Sequence, residues 1–192
     1  MSDQEIKHAA AQPAPQARPF AFVRNPIVFV PYLLSMPLAL LVPEDVLNRW
    51  HGAKVWFEFV ASFVPIVANY AHRSPFPQVT GFYFSIVVIP MALCFFWGQF
   101  KIPNAVNEER MKTFRARMGP LYYVFAWSVA IGMIFLAYVV LVMNPGYDFN
   151  LMPINRSRLA LAVFGPLFAG GIAGICFASA VSLMQFLLGR RG

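Results

Sequence analysis

Five apolar stretches divide the chain, at residues 26–43, 55–71, 79–100, 119–143 and 159–188, with polar segments between them. Several approach or exceed the ~20 apolar residues that a helix needs to cross a hydrocarbon core. The pattern predicts an all-α integral membrane protein. Segment 119–143 is the clearest span: it carries no charge, and Tyr122, Tyr123 and Trp127 crowd one end as interface anchors do. Segment 159–188 is long enough to tilt. Segment 79–100 has Pro90 near its middle, and 55–71 holds Glu58 one turn inside and Pro65 as an expected kink. The turn between these two, HRSPFPQ at 72–78, is short, so the later helix should return antiparallel beside the earlier one.

Segment 26–43 (PIVFVPYLLSMPLALLVP) differs from the rest, with prolines at 26, 31, 37 and 43. An interior proline removes a backbone hydrogen bond and clashes with the preceding turn. In lipid, the carbonyls freed in this way need protein or water partners. The segment reads as a kinked span, a re-entrant hairpin or an interfacial segment.

Charge discriminates among these readings, because loops rich in Lys and Arg stay cytoplasmic. The stretch Lys101–Arg117 (KIPNAVNEERMKTFRAR) alone holds five of the fifteen Lys and Arg residues. If 26–43 enters the membrane without crossing, the cytoplasmic side collects 12 positive residues against 3 outside. If it crosses, with the N-terminus outside, the count is only 9 against 6. The expected architecture is therefore a bundle of four transmembrane helices (55–71, 79–100, 119–143, 159–188) plus a Pro-broken re-entrant or interfacial N-terminal segment. Both termini are then cytoplasmic, and five spans is the alternative.

Residues 1–25, rich in Ala, Pro and Gln, form an expected cytoplasmic tail, and 26–192 a single polytopic membrane domain. The tail lacks the charged, apolar and small-residue succession of a cleaved signal peptide. A cell membrane, with a bacterial inner membrane as the setting, is the expected location.

Composition agrees. The chain is 59% hydrophobic and 12% charged, against about 45–50% and about 25% for a soluble domain. The net charge of +7 sits beside apolar segments, which points to topology and anionic lipid rather than to nucleic acid. Lys101, Arg110, Lys112, Arg115 and Arg117 are the expected cytoplasmic lipid and topology anchor. Asn107 as a cap, with Met111, Phe114 and Met118 at helical spacing, predicts a short helix at the headgroups or an extension of the next span.

Candidate chemistry is sparse. His8, His51 and His72 lie outside the spans, so no intramembrane pair can hold a haem. No Cys/His spacing matches a metal site, and Cys94 and Cys176 read as two reduced thiols inside spans. No nucleophile–base set, phosphate loop or carboxylate pair appears. The expectation is a non-enzymatic protein without a cofactor.

Two features remain. Gly170, Gly174, Ala178 and Ser182 recur every four residues, a spacing that lets a second helix approach closely, within the bundle or from a partner protein. Glu58 is the ionisable residue inside an apolar run. It is either an ion or proton site or the partner of Lys54 at the interface. The expected function is intramembrane contact with another membrane protein, or with a second copy. Two settings fit, an accessory or assembly subunit and an immunity-type protein neutralising a membrane-acting toxin. The alternative is a small transporter or channel subunit with Glu58 in its pathway.

Overall fold

The computed structural model describes residues 25–100, 113–146 and 153–188. Every regular element among them is helical. In chain order these are α1 (Pro26–Leu41), the short α2 (Val46–Arg49), α3 (His51–Phe63), α4 (Pro65–Arg73) and α5 (Pro77–Phe100). Then follow α6 (Leu121–Tyr138), which continues as a π-helical turn at Val139–Met143, and α7 (Arg158–Pro166), which passes through a second π-helical turn at Leu167–Gly171 into α8 (Ile172–Leu187). Three of these helical stretches are long and apolar enough to cross a membrane: Pro77–Gln99, Leu121–Met143 and Arg158–Leu187. They correspond to the expected spans 79–100, 119–143 and 159–188, and they mark a membrane protein.

The centre of the bundle is α5. Residues 79 to 85 are buried without interruption, so side chains on all sides of the helix meet protein, as in a core helix. Against it pack α1, α3, α4 and the α7–α8 rod. The other side of α8 carries α6.

Against the expectation of a break, α1 is one continuous helix despite Pro31 and Pro37. Its buried residues Val28, Ser35 and Ala39 lie on a single seam. Its ends are fixed by side chains. The Asn25 carboxamide oxygen accepts from the Ile27 N–H at 3.1 Å, and Pro26 occupies the first turn, where a missing N–H costs nothing. The same carboxamide donates to the Gly98 carbonyl at 3.3 Å, one of the last-turn carbonyls of α5 that lack a helical partner. At the far end, the Arg158 guanidinium donates to the Val42 carbonyl at 3.0 Å and pairs with Glu44 at 3.2 Å. Just beyond, the Gln78 carboxamide accepts from the N–H groups of Leu47 (3.1 Å) and Asn48 (3.3 Å). The path from Asn25 at Gly98 to Leu47 at Gln78 takes α1 along α5 from one end to the other. Among the described residues, α1 thus runs along α5 as one helix without turning back.

Segment 55–71, expected as one kinked span, is two helices. Val64 leaves helical geometry (φ −124°, ψ 79°), and Pro65 starts α4. Contacts with α5 set the direction of each half. The Trp50 ring meets Phe82 edge-on at 6.3 Å. Phe57 of α3 and Ala71 of α4 both abut Gly81. Tyr70 stacks on Phe84 at 4.9 Å, and the Thr80 hydroxyl bonds to the Ser74 hydroxyl at 2.7 Å. Both Trp50 and Ser74 thus sit at the first turns of α5. Helices α3 and α4 form a hairpin that leaves one end of the bundle and returns to the same end.

That end is closed by further polar contacts. The Asn69 amide donates to the Asn144 carbonyl at 2.6 Å, the Asn144 side chain accepts from the Gly146 N–H at 2.9 Å, and the Asn155 amide donates to the Gly146 carbonyl at 3.0 Å. Arg49 bonds Asp45 at 2.5 Å and holds that carboxyl below its ordinary range. At the opposite end, Tyr122 at the start of α6 touches Phe186 near the end of α8.

Candidate functional site

The glycine face of the last span is in use within the chain. Gly170 and Gly174 are buried against α5. A Cβ on Gly174 would lie 2.3 Å from the Ala92 carbonyl oxygen and 3.0 Å from the Phe95 Cβ. A Cβ on Gly170 would lie 2.2 Å from the Val88 carbonyl oxygen, and Gly170 also adopts φ 145°, a conformation that L-residues with side chains rarely enter. The π-helical turn at Leu167–Gly171 follows Pro166, which has no N–H for the ladder. Gly170 faces α5 on either side of Pro90, so two proline-disturbed stretches meet there. Ala178 is fully buried. Ser182 is partly buried, and its hydroxyl has no hydrogen-bond partner among the described residues.

The other side of α8 receives α6. Ala173 and Cys176 pack with Ala137, Met133 and Leu141. On α6 the buried residues are Tyr122, Ala126, Ala130 and Ala137, a stripe of mostly small side chains on one face. The Ala-xxx-Ala spacing was present in the sequence, but it lay hidden in a uniformly apolar run and was not singled out there. Outside this stripe α6 is open: only 17% of its apolar window is buried, against 56% and 61% for the other two candidate spans. On the face opposite the alanines lie Val124, Ser128, Phe135 and the flanking Gly132. Among the described residues, nothing outside its own helix backbone lies within 4 Å of a Cβ built on Gly132, and the Ser128 hydroxyl bonds the Val124 carbonyl of its own helix (2.8 Å).

A hydroxyl network lies between α1, α5 and α7. Tyr83 donates to the Ser35 hydroxyl at 3.4 Å, Ser35 donates to the Tyr32 carbonyl at 2.7 Å, and the Tyr32 hydroxyl bonds the Val163 carbonyl. Each hydroxyl has a partner, so the network serves as interhelical adhesion.

Glu58 is exposed on α3, as is Lys54, and no ion pair joins the two among the described residues. Of the basic anchor, Arg115 and Arg117 are exposed on helical residues 113–118, and the Arg115 guanidinium lies 5.3 Å from the Tyr123 ring centroid. Lys101, Arg110 and Lys112, with the Asn107 cap and the tail, fall outside the described residues. Cys94 and Cys176 are free thiols. Comparison with known protein families, with curated proteins and with solved structures finds no match.

Proposed function

We propose that this is a multi-pass, non-enzymatic membrane protein that acts by contact with another membrane protein inside the bilayer. An accessory or assembly subunit and an immunity-type protein are the two settings that fit. The observation that carries the reading is α6: a long apolar helix held along one alanine stripe, with the small residues Ser128 and Gly132 exposed away from it. Small residues at that spacing permit close approach of a second helix, where dispersion and weak hydrogen bonds hold the pair. The glycine face of α8 is already occupied by α5, so α6 is the better surface for a partner.

In this reading α1, α5, α6 and the α7–α8 rod cross the membrane, and the α3–α4 hairpin does not. Asn25, the end of α5, the start of α6 and the end of α8 then share one side. The sequence joined to that side holds Lys7, Arg18, Arg24, the five basic residues of 101–117, Arg190 and Arg191. The other side holds Arg49, Lys54, Arg73, Arg156 and Arg158. Ten against five favours cytoplasmic termini by the positive-inside rule, in a cell membrane.

The test is gentle extraction from the native membrane, native sizing, and mass spectrometry of the wild type and Gly132→Leu. The proposal expects a stoichiometric membrane-protein partner with the wild type, and its loss in a variant that keeps its helix content. A lone wild-type chain, or a partner retained by Gly132→Leu, overturns it.

A further inference from the structure

Helix α3 has three distinct faces. At about 100° per residue, Ala53, Phe57, Val60 and Ala61 fall on one side, and these are its buried or half-buried residues. His51, Lys54, Glu58 and Ser62 form a second stripe, all exposed. Val55, Trp56, Phe59 and Phe63 form a third, also exposed. The last three of these make an aromatic ladder, with Trp56 and Phe59 centroids 5.9 Å apart and Phe59 and Phe63 4.6 Å apart.

Depth is fixed by α5. Trp50 touches Phe82, Phe57 abuts Gly81, and the Trp56 indole donates to the Ser85 carbonyl at 3.2 Å. All three marks fall in the first turns of a span that begins at Pro77. A helix at that height with one packed, one polar and one aromatic face has the amphipathic pattern of an element lying in the interface plane.

We propose that α3 docks along the headgroup–acyl boundary of the bilayer, at the end of the bundle that carries residues 42–50. Its aromatic stripe enters the outer acyl region, and Lys54, Glu58 and Ser62 face water. Tryptophan is favoured at this level because its ring is apolar and its N–H is polar; here the Ser85 carbonyl satisfies the N–H. Glu58 is thus a water-facing residue of a boundary helix, and the return of α4 makes the hairpin a wedge between bundle and lipid. The inference is independent of which protein contacts α6.

The test uses the full chain reconstituted alone in phosphatidylcholine vesicles. With Trp50, Trp97 and Trp127 replaced by Phe, Trp56 is the sole indole. Lipids brominated near the headgroup should quench it more strongly than lipids brominated near the chain terminus. No quenching by either, or stronger quenching from the chain terminus, overturns the proposal. A second measurement leaves the aromatics in place: single cysteines at Lys54, Glu58 and Ser62, then at Val55, Phe59 and Phe63, in a Cys94→Ala, Cys176→Ala background. A charged maleimide should label the first set in intact vesicles and lose its reaction with the second. Loss of labelling at Glu58→Cys, or equal labelling of both stripes, contradicts it.

Discussion

Replacing Gly174 with alanine tests one of the closest helix contacts among the described residues. The added Cβ would stand 2.3 Å from the Ala92 carbonyl oxygen, whereas an ordinary C···O approach is about 3.3–3.6 Å. The two helices must therefore separate by about 1 Å. The clash is with backbone on one side and the Phe95 Cβ on the other, so no flexible side-chain tip can swing away. Overpacking of this kind costs typically about 1–3 kcal/mol. Alanine returns up to about 1 kcal/mol through its better helix propensity. The expected net loss is about 1–2 kcal/mol, a shift of roughly 5–30-fold in the folded-to-unfolded ratio. Gly170→Ala should cost more, because a side chain held at positive φ adds about 1–3 kcal/mol. Gly132→Ala is the control, since its Cβ meets nothing. The assay is reversible unfolding in mixed micelles with rising SDS fraction, followed by far-UV circular dichroism. An unchanged midpoint for Gly174→Ala, or a fall in Gly132→Ala as large as in Gly174→Ala, would refute the close-approach reasoning.

Three further outcomes are expected. Arg158→Met removes a charge-assisted bond to the Val42 carbonyl; it should cost about 1.5–3 kcal/mol and speed proteolysis within 42–50, and an unchanged digestion pattern would count against that clamp. Ala130→Leu, at a fully buried position on the α6 stripe, should lower the SDS midpoint, whereas Gly132→Leu should leave it near the wild-type value. Asp45, whose carboxyl Arg49 holds below the ordinary range, contributes its stabilisation above the ordinary carboxylate pKa and loses it as pH falls through the lowered folded value. Because both side chains are largely exposed, Asp45→Asn should flatten only a small acid limb of the unfolding midpoint. A large drop at neutral pH would show that the pair does more than a surface ion pair.

The three long spans were readable because each is an unbroken apolar run with polar ends. The hairpin was not. Val64–Pro65 reads equally as a kink in one span or as a reversal, and the outcome depends on Trp50, Phe57, Ala71 and Ser74 all meeting the first turns of α5. Such contacts leave no periodic trace. The prolines of α1 led in the opposite direction. They mark lost backbone bonds, but a helix packed against α5 and α7 and fixed by Asn25 and Arg158 accommodates them. The charge count favours a first segment that does not cross, whereas the helix contacts place Leu47 and Asn48 at Gln78 and Asn25 at Gly98, at the two ends of α5. The four-residue spacing of Gly170 and Gly174 lies where the backbone of α5 comes close. Which helix would approach was beyond local sequence, since α5 lies some eighty residues away in the chain.

The course of α1 decides the topology, and Ser2 and Glu44, which flank it in the chain, test it most directly. Each is replaced singly by cysteine in a background without Cys94 and Cys176, and a membrane-impermeant maleimide is applied to right-side-out and to inverted membranes. The account predicts opposite sides: Ser2→Cys labelled in inverted membranes and Glu44→Cys in right-side-out ones. Labelling of both residues from the same side would mean that residues 26–41 do not cross, and the arrangement argued here would be wrong.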